Sequence, residues 1–265
     1  MRNIFRYRLA AVDRATAQGQ LAAADQKYHG WARLELGLLY TEDASLQAEE
    51  LAHYRAAEKS FRELLEQYPN EENFFVYLGS ALLNQANYHE ESDPDEALRL
   101  YAQARVPLLE AEQRFPKSGN WKLNIRNAYW GEGRVWLKRK EYPRTADAFR
   151  KAILYNTDQK DDVTFRQRYA YALLKLGEVQ KGEEELFGAL EQEPHDEHAM
   201  LFFSRLHVVL SQLVAQERRA EQLDKGIEAF EQSMSMDCSC ARDQIQEEDF
   251  LPIANHPAIL QRLAQ

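Results

Sequence analysis

The chain has 265 residues, 45% of them hydrophobic and 29% charged, so it is long and apolar enough to fold around a core. Its 43 acidic and 33 basic residues give a formal net charge of -10, which argues against a non-specific nucleic-acid partner. No apolar run approaches the roughly 18 to 20 residues that span a bilayer, and no secretory signal is evident, so a cytoplasmic protein that does not bind a membrane is expected.

Helix-forming residues dominate the composition, and no alternating apolar run suggests a strand, so the predicted fold class is all-α. One domain is expected over residues 1–265. It begins with an N-terminal capping helix at 1–20, whose amphipathic stretch covers 3–18. Repeats are expected over 21–240, and a C-terminal cap of short turns over 241–265, because the last repeat of an array needs a cover for its apolar face.

A block of small and large apolar residues recurs five times along the chain. Each copy begins with a small residue. A large apolar residue follows four positions later, a small or apolar residue three positions after that, and a residue that ends the helix five positions further on. The first two spacings put three side chains on one helical face. The five copies are Ala57, Phe61, Leu64 and Pro69; Ala104, Leu108, Ala111 and Pro116; Thr145, Phe149, Ala152 and Thr157; Gly182, Leu186, Ala189 and Pro194; and Gly226, Phe230, Ser233 and Cys238.

A second block precedes each copy, with an aromatic or other large residue, a small one and a further large one on a second helical face. Phe75, Gly79 and Leu82 are an example, and the small residue is expected to let the neighbouring helix approach closely. The paired blocks resemble the tetratricopeptide repeat (TPR), a helix-turn-helix unit of 34 residues. The third and fourth copies fit that length without gaps, with turns at 141–143 and 176–178. The stretch 126–131 is also similar to repeat tails that follow Ser/Thr kinase domains in some bacteria.

The TPR resemblance implies about five antiparallel helix pairs in a right-handed superhelical solenoid, in which the first helix of each pair lines the concave face. It also implies which positions of each unit line that groove: the second, fifth, ninth, twelfth and thirteenth. In units two to five these are Asn73, Val76, Ser80, Leu83 and Asn84; Asn127, Trp130, Arg134, Leu137 and Lys138; Thr164, Gln167, Tyr171, Leu174 and Lys175; and His198, Leu201, Arg205, Val208 and Val209.

None of these positions is acidic, although the chain carries 43 acids in 265 residues. Cations there would attract a carboxylate, amides would pair with a peptide backbone, and aromatic residues would anchor it. The predicted peptide-binding residues are Asn127, Trp130, Arg134, Lys138, Gln167, Tyr171, Lys175 and Arg205. The family's two-carboxylate clamp for chaperone C-termini is not expected, because Leu34 and Leu38 stand at its Lys and Asn positions.

No phosphate loop, dinucleotide fingerprint, nucleophile elbow or HExxH motif is present, so neither an enzyme nor a bound cofactor is predicted. His195 and His198 are three residues apart, and Cys238 and Cys240 are two apart, yet each pair supplies few ligands, so no metal site is predicted.

Two functions follow from the pattern. The first is a scaffold or adaptor that holds an acidic or C-terminal peptide of another protein in the concave groove. The alternative is a regulatory subunit that contacts an enzyme through its convex face or through extended turns between helices, near 41–50 and 84–95. No pattern indicates an oligomeric state.

Overall fold

The computed structural model describes residues 30–31, 33–35, 47–157, 159–191, 196–236 and 240–264. Among these residues the regular structure is helical, as the composition predicts. The helices are α1 Gln47–Gln67, α2 Glu72–His89, α3 Pro94–Arg114, α4 Lys122–Lys138, α5 Tyr142–Leu154, α6 Gln159–Lys175, α7 Val179–Leu190, α8 Glu197–Leu213, α9 Gln216–Ser235, α10 Cys240–Gln244, a 3₁₀ turn Glu248–Phe250, α11 Leu251–Ala254 and α12 Pro257–Leu263.

Several predictions fall on parts of the chain that are not described. The capping helix at 1–20 lies outside the described residues, as do the turn at 41–46 and two side chains singled out above, His195 and Cys238. In the part of the chain that the structure describes, no helix combines the length and apolar character needed to cross a membrane.

Helix starts follow the capping residues of the sequence. The Asp93 carboxylate accepts a hydrogen bond from the Glu96 backbone N–H at 3.1 Å, and Pro94 occupies the first turn of α3. Asp196 caps α8 in the same way and accepts from the Ala199 N–H at 2.7 Å. Each cap supplies a partner for one of the backbone donors that a helix start leaves unpaired.

The recurring block forms the buried face of the second helix in each pair. The small and apolar members of all five copies are buried, and Phe61, Phe149 and Phe230 have no exposed surface. Burying a side chain of this size contributes about 1.5–3 kcal/mol to folding. Successive helices pack on one another as α1 with α2, α6 with α7, and α8 with α9. These contacts confirm the all-α, TPR-like fold of antiparallel helix pairs.

Small residues allow close approach within the pairs, as predicted. A Cβ added at Gly226 would lie 2.9 Å from Val208 Cγ2, and the Ser204 hydroxyl donates to the Gly226 carbonyl at 2.6 Å. Ser204, the small residue of the second block before the fifth copy, therefore lies at the contact between α8 and α9.

The extra residues between the blocks of the second copy are absorbed by longer helices. Residues 84–89 continue α2, and only a short turn, Glu90 to Asp93, precedes α3. The extended turn expected at 84–95 is therefore absent from this described segment, because its first residues retain helical hydrogen bonding.

The chain divides into two compact units, residues 1–135 and 136–265, with the boundary inside α4. We call them unit 1 and unit 2. Unit 2 ends in a C-terminal cap, here residues 240–264, whose buried Ile245, Phe250 and Ile253 pack with α8 and α9 residues.

Candidate peptide-binding cleft

Unit 2 contains a cleft of about 410 Å³. The end of α4 with the following turn, the start of α5, the end of α6 and the middle of α8 form one side, and residues 247–249 of the C-terminal cap form the other. The cleft is lined by Leu137, Lys138, Lys140, Tyr142, Tyr171, Lys175, Phe202, Arg205, Glu247, Glu248 and Asp249.

Three aromatic rings form a row along the helical side of the cleft. The Tyr142 and Tyr171 ring centroids are 6.1 Å apart, and those of Tyr171 and Phe202 are 5.9 Å apart, both edge to face. Tyr142 and Phe202 are only partly buried, whereas Tyr171 is buried. The row therefore offers flat apolar surface of the kind that anchors a peptide.

A carboxylate is bound beside Tyr171, the buried middle ring of this row. The Tyr171 hydroxyl donates to Asp249 Oδ2 at 2.6 Å, and Lys175 Nζ donates to Asp249 Oδ1 at 2.9 Å. Only 9% of the Asp249 side chain is exposed. Burial, together with this hydrogen bond, raises the pKa of Tyr171 above its ordinary value, so the hydroxyl stays a donor.

The other two acids of the cleft also meet cations, and their own side chains are more exposed than that of Asp249. Arg205 Nη2 donates to Glu247 Oε2 at 2.7 Å and to Gln244 Oε1 at 2.9 Å. Lys140 Nζ is 3.5 Å from Glu248 Oε2, and both side chains are more than two-thirds exposed. Each cation of these contacts thus faces one carboxylate of the C-terminal cap.

Lys140 has an unusual backbone conformation. Its φ is 57°, in the left-handed region, while its amide donates to Leu137 O and the next amide donates to Trp136 O. Gly177 occupies the equivalent turn after α6, with a φ of 77° and the same two hydrogen bonds, to Leu174 and Leu173. Glycine suits such a helix end, so a lysine there costs about 1 kcal/mol.

Three of the eight predicted residues lie in unit 1. Arg134 Nη2 donates to Glu90 Oε2 at 2.6 Å, and its guanidinium carbon is 5.8 Å from the centroid of the Trp130 ring. Asn127 accepts from Arg126 at 3.0 Å. These side chains are partly buried and engaged with their neighbours.

The other five belong to unit 2, and four of them line the cleft: Lys138, Tyr171, Lys175 and Arg205. The fifth, Gln167, is only 1% exposed, and its amide donates to the Ala199 carbonyl at 3.0 Å. This bond joins α6 to α8, so Gln167 contributes to packing and offers no surface to a ligand.

Sequence reasoning missed the cap side of the cleft and part of the aromatic row. Glu247, Glu248 and Asp249 were overlooked because they lie outside the repeats, and Tyr142 and Phe202 because they fall between the expected lining positions. One signal was available: an acidic run near the C-terminus complements a repeat surface without acids.

Of the two residue pairs considered as metal ligands, His195 and Cys238 lie outside the described residues. Within the described ranges, no group of three or more His, Cys, Asp or Glu side chains is placed to hold a metal ion. The His198 side chain is exposed, and its Nδ1 lies 3.3 Å from Glu197 Oε1.

Comparison with known proteins shows similarity to helical-repeat structures. The sequence matches no family model, and no curated protein is significantly similar to it. The MamA protein structure is 15% identical, covering 79% of this chain and 96% of that one, with a TM-score of 0.44. TTC0263, a thermophilic TPR protein of Thermus thermophilus, is 16% identical over 81% of this chain and 96% of its own, with a TM-score of 0.42. The TPR2AB domain of yeast Sti1, solved with pHSP90, is 13% identical over 99% of each chain, with a TM-score of 0.36.

None of these similarities bears on the predicted likeness to kinase-associated tails. Because the TM-scores are low, the fold is identified by the helix pairs themselves, with their buried repeat positions and close-packed small residues. The described part of the chain therefore has a TPR-like fold of paired helices.

Proposed function

We propose that this protein is a scaffold that holds a partner protein by binding an acidic segment of it in the cleft of unit 2. The observation that carries the proposal is the nearly buried Asp249 carboxylate, which Tyr171 and Lys175 bind in the cleft. A site that holds one carboxylate in this way has the donors that an acidic peptide needs.

The surroundings of that carboxylate support a peptide ligand. The row of Tyr142, Tyr171 and Phe202 provides apolar contact beside the charged groups. Interfaces typically combine aromatic anchors with charged groups at the rim. The cleft therefore offers both kinds of contact that a peptide segment uses.

Lys140 adds an energetic argument. A backbone conformation that disfavours lysine is kept at the rim of the cleft, while the equivalent turn after α6 has glycine. Strained residues of this kind cluster at functional sites, where another benefit offsets their cost. We interpret that benefit as a positive charge for a partner's carboxylate.

The test is binding of a labelled oligo-glutamate peptide to the full chain, measured by fluorescence anisotropy. Reversing two rim charges in Lys138→Glu/Lys140→Glu is expected to weaken binding about tenfold or more, because like charges then face the ligand. The control, Lys59→Glu/Lys117→Glu, makes the same charge change at exposed positions of unit 1. Equal affinities for the two double variants would refute the proposed cleft.

A further inference from the structure

All three acids in the cleft come from one short segment. Glu247 meets Arg205, Glu248 meets Lys140 and Asp249 meets Lys175. The repeat positions expected to line the groove carry no acid, so this segment supplies the negative charge found there.

Two of these three contacts are easily exchanged. The side chains of Glu247 and Glu248 are 47% and 76% exposed, so water competes with their ion pairs. The third contact is different, because Asp249 is almost fully buried and accepts two hydrogen bonds. Glu247 and Glu248 therefore pair with Arg205 and Lys140 without being fixed there.

Residues on both sides of the acids keep them beside the cleft. Ile245, Phe250 and Ile253 are at most 2% exposed and pack in the core of the C-terminal cap. A segment anchored in this way has a high effective concentration at its own site, in the manner of a tethered ligand. Any external acidic segment has to compete with it.

We infer that Glu247 and Glu248 are internal competitors for the cleft, and that the partner carries a segment of successive Asp or Glu residues that takes over their cations. This inference rests on the proposed function, because it concerns the same cleft. It specifies the partner chemistry as a run of carboxylates. It also means that Arg205 and Lys140 can pair with the C-terminal cap or with the partner, but not with both at once.

The experiment compares the affinity of the full chain for the oligo-glutamate peptide before and after neutralising the exposed acids. Glu247→Gln/Glu248→Gln removes the carboxylates that face Arg205 and Lys140 but keeps Asp249, the Gln244 contact of Arg205 and the buried anchors, so the fold should persist. Affinity is expected to rise about fivefold, the value of two exposed ion pairs. Circular dichroism and thermal unfolding verify that the variant is folded.

A matched control separates competition from a general charge effect. Glu217→Gln/Glu228→Gln removes the same charge from exposed positions of α9, outside the cleft, and is expected to change the affinity less than twofold. Equal gains in the two variants, or no gain in either, would overturn the inference. If the Lys138→Glu/Lys140→Glu variant still loses binding, the proposed function stands without it. If that variant binds normally, the proposed function itself fails.

Discussion

The two units each bury one carboxylate between a tyrosine and a cation. In unit 1, Glu90 accepts from Arg134, and its second contact, with the Tyr101 hydroxyl, is 3.1 Å long. In unit 2, Asp249 accepts from Lys175 and Tyr171. Each carboxylate side chain is 9% exposed, and burial raises the pKa of both tyrosines. The local chemistry is therefore nearly the same.

The two sites differ in where the carboxylate comes from. Glu90 lies in the turn before α3, 11 residues from Tyr101, and the Tyr101 hydroxyl has a second partner in Asn87 at 2.6 Å. Asp249 comes from the C-terminal cap, 78 residues from Tyr171, and sits at the edge of an open cleft. The comparison teaches that one motif serves as a local structural contact in unit 1 and as a ligand-like contact in unit 2.

The largest expected effect comes from removing the anchor that holds the remote carboxylate. Phe250 has no exposed surface, and its ring centroid is 5.8 Å from that of Phe230. Phe250→Ala leaves a cavity and is expected to lower the free energy of unfolding by about 3–5 kcal/mol. Hydrogen exchange should show the loss in unit 2, around α8 to α12, while α1 to α3 keep their protection. Equal loss in both units would contradict the separation of the two sites.

The second effect compares the two carboxylates directly. Glu90→Ala is expected to lower the free energy of unfolding by about 2–3 kcal/mol, because the partly buried Arg134 then lacks its ion-pair partner. Asp249→Ala is expected to lower it less, by about 1–2 kcal/mol, because Lys175 and Tyr171 line the cleft and water can fill the space that the carboxylate leaves. Chemical denaturation measures both values, with exposed Asp243→Ala as a near-neutral control. A greater loss of unfolding free energy for Asp249→Ala than for Glu90→Ala would contradict the distinction drawn between the two carboxylates.

The smallest effect separates charge from backbone strain at Lys140. Lys140→Gly removes both and is expected to raise the free energy of unfolding by about 1 kcal/mol. Lys140→Gln removes the charge but keeps the strained conformation, so its stability should stay close to that of the natural chain. Both variants should bind oligo-glutamate about two- to threefold more weakly. Thermal unfolding and anisotropy provide the two measurements. Unchanged binding would contradict the proposal that the Lys140 charge contacts a partner's carboxylate.

Local patterns predicted the repeats because their physical cause is local. Spacings of four and three residues put Phe149 and its neighbours on one face, and the structure buries that face. Trp136 is large and aromatic yet only partly buried, with the Arg144 guanidinium carbon 4.4 Å from its ring centroid. Gln167 was assigned to the groove by its position alone, whereas close packing of α8 on α6 encloses it. Position within a repeat predicts a face of the helix but not what packs against it.

The acid side of the cleft had no comparable signal. Nothing in the spacing of Asp249 relates it to Tyr171, since their contact depends on how the C-terminal cap packs. Charge complementarity between the acidic run and the acid-free repeat positions was the only indication in the sequence.

The span of the contact between Asp249 and Tyr171 also has an entropic consequence. It closes a loop of 78 residues, far longer than the turns that join neighbouring helices. Loop-closure entropy grows only with the logarithm of length, so doubling the intervening chain would cost about 0.6 kcal/mol. Docking of the C-terminal cap should thus tolerate insertions in the turns between α6 and α9, and its position is set by the side chains it buries rather than by the length of chain that leads to it.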